Sequence, residues 1–394
     1  MKEGWEIKKL GEVATFQRGL TYSKSDEVEF SNNCVLRSNN IELESMSILL
    51  DDLKYIREDF VVSVDKKVKV NTILICMSNG SKQHIGKVAF IEKEYDYAFG
   101  GFMGLIVPNS NISAKYVYYF CLSSSYKRFL AEVGNGANIT NIKFSDLSKL
   151  TIPVPPLEEQ ERIVGELDCL SGVIEKKKQQ LKELDALAQS IFYEMFGNPV
   201  ENDRGWEMKK LGEIAIIGTG ATPSRQKEDI YYGGNIPWVK TTEVQNCEII
   251  STEESITELA VEQTNCKIYP SGTLLIAMYG QGKTRGQVAK LKISATTNQA
   301  CAAIMLNKDL SNLEFVYEFL LINYENIRDM AQGGNQANLN LKLVSSISIP
   351  IPPLSLQQEF AEKIESIEKQ KELIRKSIEE VEMLFNSRMD YYFG

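Results

Sequence analysis

The sequence predicts an α/β (α+β) protein built twice over, each half a mixed domain followed by one long helix. Three observations carry this. First, two ends of the sequence repeat. Gly4–Thr21 reads GWEIKKLGEVATFQRGLT and Gly205–Thr222 reads GWEMKKLGEIAIIGTGAT, identical at 11 of 18 positions. IPVPPL at Ile152–Leu157 returns as IPIPPL at Ile349–Leu354, Gln160 returns as Gln357, and the closing Phe-Gly at 196–197 returns at 393–394. Ordered blocks at nearly one offset mark an internal duplication. Second, short β-branched and aromatic runs broken by Gly and Asn fill the first part of each copy. Third, a heptad pattern follows each Pro-Pro pair.

Taking the elements in order, residues 1–155 form the first domain, 156–198 its helix, 199–352 the second domain and 353–394 the second helix. Strand-like runs include Thr72–Met77, Val88–Glu92 and Leu105–Val107 in the first copy, and Thr273–Met278 and Ala302–Leu306 in the second. Ala114–Ser123 and Leu313–Tyr324 read as helices whose aromatics, at helical spacing, belong to the core. Between the end blocks the match thins to Met77 with Met278, Gly80 with Gly280, Gly86-x-Val88-Ala89 with Gly286-x-Val288-Ala289, and Ala137-Asn138 with Ala337-Asn338. The ends are alike and the middles have diverged.

Proline has a preset φ and no N–H, so Pro156 and Pro353 suit helix starts. Beyond them Ile163, Leu167, Leu170, Ile174, Leu181 and Leu184 alternate at +4 and +3, continued by Ala188, Ile191 and Met195. The second copy offers Phe360, Ile364, Ile367, Ile374, Ile378, Val381, Phe385 and Tyr392. Such seams seek a partner helix. Two pseudo-twofold related copies imply that the helices pack as an antiparallel coiled coil, each about 60 Å long for roughly 40 residues. A register centred near 174–177 sets Ile174 against Ile374 and Lys177 near Lys371.

Composition narrows the function. Of 394 residues, 25% are charged and 43% hydrophobic, the balance of a soluble globular protein. No apolar run of membrane-spanning length occurs, and MKEGWEIKKL lacks a signal-peptide core. Seven cysteines without C-x-x-C point to reduced thiols and a cytoplasmic location. A single histidine, His84, leaves no ligand set for zinc and little for serine-hydrolase chemistry.

The net charge of −9 hides a distribution. The first domain carries 19 basic and 18 acidic residues, the second 14 and 17, while the helices hold most of the excess acid. Basic residues gather with Gly, Asn, Gln and aromatics in equivalent loops. One runs Asn79-Gly80-Ser81-Lys82-Gln83-His84-Ile85-Gly86-Lys87, and its counterpart Tyr279-Gly280-Gln281-Gly282-Lys283-Thr284-Arg285-Gly286-Gln287. The others are Arg37-Ser38-Asn39-Asn40 and Lys240-Thr241-Thr242. Arg and Lys donate to guanine edges and phosphates, Asn and Gln suit adenine edges, and glycine admits phosphate to the backbone. Candidate DNA contacts are therefore Arg37, Asn39, Asn79, Lys82, Gln83, His84, Lys87, Lys240, Thr241, Tyr279, Gln281, Lys283, Thr284 and Arg285.

Two motifs mislead. Ala277-x-x-x-x-Gly282-Lys283-Thr284 approximates a phosphate loop, but the alternating run behind it reads as strand, where phosphate binding needs a helix N-terminus. Asn198-Pro199-Val200 lacks the residues of a base-methylating site, and no G-x-G-x-x-G follows a strand. His84 has Thr284 at the matching position of the second copy, which argues against a general base.

The two G-W-x-x-x-x-L-G-E blocks (Gly4–Glu12 and Gly205–Glu213) and the two I-P-x-P-P-L-x-x-Q blocks (Ile152–Gln160 and Ile349–Gln357) resemble the DNA-specificity subunit of type I restriction–modification enzymes, over the whole chain. The resemblance implies two target-recognition domains, each reading one half of a bipartite double-stranded DNA site. It implies helices that act as spacer and dock two methyltransferase subunits, with restriction subunits joining, so that helix length sets the gap between half-sites. S-adenosylmethionine, ATP and Mg are then held by those partners, with no cofactor, metal or catalytic residue in this chain and no membrane partner. The mild acidity of the second domain implies weak, salt-sensitive DNA binding by the chain alone. Two other readings stand beside it: a specificity subunit serving a fused type II methyltransferase–endonuclease, and a coiled-coil scaffold whose domains bind something other than DNA.

Overall fold

A computed structural model describes residues 4–43, 45–133, 141–280, 282–331 and 338–394. Of the repeated positions, Ala137, Asn138, Ala337 and the loop residue Gln281 lie outside them. The chain forms two compact units, residues 1–177 with 376–394 and residues 178–375.

The repeated blocks are alike because they fold onto one another. In the first unit Glu6–Lys9 pairs antiparallel with Thr151–Val154, Lys8 opposite Ile152. In the second, Glu207–Lys210 pairs with Ser348–Ile351, Lys209 opposite Ile349. Each ribbon has only two strands, so Pro153 and Pro350 sit where the missing N–H costs no ladder bond. One helical turn follows each ribbon, Leu10–Val13 and Leu211–Ile214, with the glutamate of L-G-E accepting the backbone N–H of Lys9 or Lys210. Leu10 and Leu211 are fully buried, and their N–H groups donate to Leu150 and Ile347.

Each unit then builds two sheets. The main sheet of the first unit orders Ala14–Arg18, Met103–Pro108, Thr72–Cys76 and Val88–Ile91, all antiparallel. The second unit repeats this order as Ala215–Thr219, Cys301–Leu306, Leu274–Ala277 and Val288–Leu291, and adds Cys247–Ile249 parallel to the last strand. Smaller sheets join Asn33–Leu36 to Tyr97–Phe99 in the first unit and Tyr232–Val239 to Thr296–Thr297 in the second, both pairs parallel. Helices Ala114–Phe120 and Leu313–Ile322 carry Tyr116, Phe120, Phe315 and Phe319 into the cores.

Two 40-residue helices, Leu157–Phe196 and Leu354–Phe393, follow the closing prolines. They run antiparallel within each unit. In the first, Glu166 accepts from Tyr392 Oη at 2.7 Å and from Arg388 Nε, and Ile163 and Leu167 share a core with Met389. In the second, the Phe360 ring lies 5.6 Å from Phe192 and 5.3 Å from Phe196, and Lys371 Nζ stands 2.7 Å from Asp185. These pairs set a register about one heptad away from the expected layer. Lys371 meets a carboxylate, so its charge is compensated on burial rather than left to snorkel beside Lys177. The seam residues Leu170, Ile174, Leu181, Leu184 and Val381 are half-buried, and Ile364, Ile367 and Ile378 buried. Ile374 is half-buried as well, short of the full burial of a central layer.

Candidate nucleic-acid interface

In each unit the loops that the sequence singles out meet at one end of the main sheet. The strand pairs Arg18–Gly104, Cys76–Met103 and Ile75–Val88 place that end in the first unit, and Thr219–Ala302, Ala277–Cys301 and Ile276–Val288 in the second.

In the first unit, strand Ala14–Arg18 runs into Gly19, whose backbone passes so close to the turn at Gly100 that a Cβ there would lie 2.0 Å from the Gly100 oxygen. Only glycine fits. Gly100 N donates to Leu36 O at 2.9 Å, tying the turn to the strand that leads into Arg37. Phe102 O accepts from Met77 N at 2.9 Å and Ser78 N at 3.1 Å, tying it to the hairpin. Asn79 Nδ2 donates to Ser38 Oγ at 2.8 Å and closes the ring. Arg37 Nη2 and Asn39 Nδ2 both donate to Asp52 Oδ2, at 3.0 and 3.2 Å. Arg37 is thus aimed while Nε, buried, meets no protein acceptor. Nη2 also donates to Asp52 O at 3.4 Å, which leaves Nη1 of the five-donor guanidinium for a ligand.

Lys82, Gln83 and His84 form a short 3-10 turn at the hairpin tip, Lys82 and Gln83 exposed and His84 partly so, with His84 Nδ1 buried and without a hydrogen-bond partner. Gly86 has φ +80° and packs on Leu130, while Tyr126 Oη donates to its carbonyl at 2.9 Å. Lys87 departs from the sequence reading. It is 5% exposed, and its Nζ donates to Ile41 O at 2.7 Å. Burial lowers its pKa from the ordinary lysine value. Lys87 opens a buried strand edge and points inward, so it braces the loop and is not offered to a duplex.

The second unit repeats the construction with other side chains. A Cβ on Gly220 would lie 1.7 Å from Thr297 O. Asn298 N donates to Val239 O at 3.0 Å, and Met278 N to Ala300 O at 2.8 Å. Thr222 Oγ1 donates to Gln299 Oε1. Thr241, expected at the surface, is buried and donates to Asn298 Oδ1 at 2.9 Å, because it anchors the turn. Lys240 reaches Glu253 at 2.5 Å and Glu254 at 3.1 Å, and the hydrogen bonds it donates to Glu253 and then Glu254 raise its pKa. It stays protonated but shares its charge. Tyr279 and Lys283 are exposed, Thr284 and Arg285 half-buried. Tyr324 Oη donates to Lys283 O at 2.5 Å and Arg328 Nη2 to Gly282 O at 2.8 Å. The hairpin that follows Lys283 enters the strand Val288–Leu291, not a helix, so it has no phosphate-loop geometry.

Sequence reasoning missed the turn between the two sheets, Gly100–Phe102 in one unit and Asn298–Ala300 in the other. A phenylalanine set among Gly100, Gly101 and Gly104 was the available signal. It also missed Thr222 and Gln299. Among the described residues no group of three or more His, Cys, Asp or Glu could hold a metal, and no helix is long and apolar enough to cross a membrane.

Two units of one construction, each presenting a braced polar loop cluster at a sheet end and each joined to heptad helices, define a duplicated recognition protein. The chain belongs to the family described as "Type I restriction modification DNA specificity domain", which matches residues 2–186 and again 203–383. It is similar to the StySPI type I restriction enzyme specificity subunit of Salmonella potsdam, 24% identical over 96% of this chain and 85% of that protein. The EcoKI specificity subunit of Escherichia coli K12 is likewise 24% identical over 96% and 85%. The fold is that of the S subunit of a type I restriction–modification system from M. genitalium, with a TM-score of 0.58 at 16% identity over 100% of this chain and 98% of that one. A chain solved in work on complex assembly and conformational transition of the type I system gives 0.57 at 17% over the same shares.

Proposed function

We propose that the chain is the non-catalytic reading subunit of a type I restriction–modification complex, and that each unit contacts one half of a bipartite duplex site. The observation that carries this is the loop cluster itself. The scaffold repeats between units, down to the glycine at 19 and 220, while the presented side chains differ: Arg37, Asn79, Lys82 and Phe102 in one, Tyr279, Lys283, Gln299 and Lys240 in the other. Such a pattern suits two readers of different base sequences, each good bidentate contact worth about 1–3 kcal/mol of discrimination. The rival scaffold reading gives no reason for that divergence.

The long helices serve as spacer and as the docking surface for two methyltransferase subunits, and restriction subunits join that assembly. S-adenosylmethionine, ATP and Mg reside on those partners, and the complex acts on DNA in the cytoplasm. Support for two equivalent partners comes from Leu187 and Leu384, which occupy matching positions of the two helices and are 47% and 48% exposed.

The test is co-expression with the methyltransferase subunit in a host free of adenine methylation, followed by modified-base sequencing. A two-part motif with a fixed gap is expected. Exchanging residues 77–87 for another loop should alter one part only. A single-part motif, or changes in both parts at once, overturns the reading.

A further inference from the structure

The side chain of Phe102 is 74% exposed at the tip of a hydrogen-bonded turn in the first unit. Among the described residues it makes no ring–ring or ring–cation contact. Its backbone, by contrast, is fixed from three sides: Gly100 N to Leu36 O, Met103 N to Gly100 O at 2.8 Å, and Met77 N and Ser78 N to Phe102 O. An exposed aromatic on a mobile loop would be unremarked surface. Here the conformational entropy of the backbone has already been lost, and the ring is held out from a rigid base.

Its surroundings are those of the candidate interface. Ser78 leads to Asn79, which is bonded to Ser38 beside Arg37, and Arg18 ends the strand that feeds Gly19. Gly100 and Gly101 precede the ring and lie against the chain's own Leu36 and Leu20 carbonyls, at 3.6 and 3.3 Å from where a Cβ would stand. The counterpart turn in the second unit ends in Ala300, which is 8% exposed, and spends Gln299 on Thr222. So one unit projects an apolar ring where the other has the buried Ala300 beside an exposed amide, Gln299.

We propose that Phe102 is a wedge that enters or stacks against a base step of the half-site read by the first unit. This rests on the DNA-reading function proposed above. Apolar side chains set among hydrogen-bonding groups unstack base steps and bend the duplex, and flexible pyrimidine–purine steps yield most readily. The first half-site is then selected partly by deformability at one step, which the turn of the second unit, ending in the buried Ala300, does not provide.

The experiment uses the complex assembled with its methyltransferase subunits and a duplex carrying the sequenced site. 2-Aminopurine replaces each purine of both half-sites in turn, the methylated position excepted, because extrusion of that base is a separate event. The wild-type complex should raise fluorescence at one step of one half-site. Phe102→Ala should return that step to the free-duplex level and lower affinity on the order of tenfold, while Phe102→Trp retains the signal. The other half-site should not respond. Equal fluorescence and affinity in wild type and Phe102→Ala sinks the wedge and leaves the reading function intact. Absence of any two-part methylated site sinks the reading function itself.

Discussion

Gln160 Oε1 accepts the backbone N–H of Ser113 at 2.8 Å while its Nε2 donates to Pro155 O at 2.8 Å. Gln357 does the same with Asn312 and Pro352, also at 2.8 Å. Ser113 and Asn312 are the N-caps of the core helices Ala114–Phe120 and Leu313–Ile322. The last residue of I-P-x-P-P-L-x-x-Q is therefore a buried clamp between the start of the long helix and the start of the core helix. Gln160→Ala strands one donor and one acceptor, each costing about 1–3 kcal/mol when buried. Urea unfolding should show a loss of about 2–4 kcal/mol, and Gln357→Ala a similar loss in the other unit. Gln160→Glu keeps the acceptor and lacks the donor, so it should fall between.

Glu318 lies on the buried face of Leu313–Ile322. Burial lifts its carboxyl from 4.5 to about 7, against the pull of Lys371 and Lys290, with Asp185 and Glu314 pushing the same way as burial. A raised carboxyl means that the folded chain binds more protons than the unfolded chain between these two values. Stability from this group is present in full below pH 4.5, declines as pH rises to about 7, and is absent above it. Glu318→Gln should therefore stabilise the protein by about 1–3 kcal/mol at pH 8 and much less at pH 5. Urea midpoints of both proteins at the two pH values decide it. An equal gain at both would mean that packing, not ionisation, sets the difference.

The parts of the fold that showed in the sequence are those written as local or periodic signals. The ribbon blocks were visible because both strands of each ribbon repeat, and the long helices because seam residues such as Ile163 and Ile364 recur every three or four positions. The register was less legible, since a heptad seam looks the same after a shift of seven. What fixes it is the insertion of Phe192 and Phe196 beside Phe315 in the domain core, a contact across more than 100 residues. The roles of Lys87 and Thr241 were hidden for a related reason: a polar residue beside a glycine loop reads as exposed until the carbonyl of Ile41 or the amide of Asn298 is placed next to it. Phe102 was passed over because its exposure depends on hydrogen bonds from Met77 and Ser78.

Lys82 and Lys283 stand exposed on equivalent hairpins, and neither lies at a position where a base-specific fork is built. Their expected contacts are phosphates. Lys82→Gln and Lys283→Gln should each weaken binding of the assembled complex to every duplex by a similar factor and reduce the slope of log K against log salt by about one. Asn79→Ala removes the bonds that hold the hairpin to Ser38 and Ser81, so it should leave that slope unchanged and relax selectivity within one half-site only. Filter binding at a series of salt concentrations separates these outcomes. A lysine variant that changes the recognised sequence would move that residue into the base-reading set.

Leu187 and Leu384 are separated by the same 197 residues that separate Gln160 from Gln357, and each is an exposed leucine on its long helix, Leu384 beside the exposed Met383. Singly placed apolar residues are ordinary on protein surfaces, but a matched pair produced by duplication offers one contact to each of two identical partners. Glutamate at either position adds a charge that a docking surface must desolvate, and because both sites are exposed, neither change disturbs the fold. Leu187→Glu should reduce the bound methyltransferase from two copies to one, Leu384→Glu should do the same, and the double variant should bind none. Mass determination of the complex by light scattering reads the stoichiometry directly. If one substitution removes all partner and the other removes none, the two leucines are not equivalent and the partner docks as a single copy.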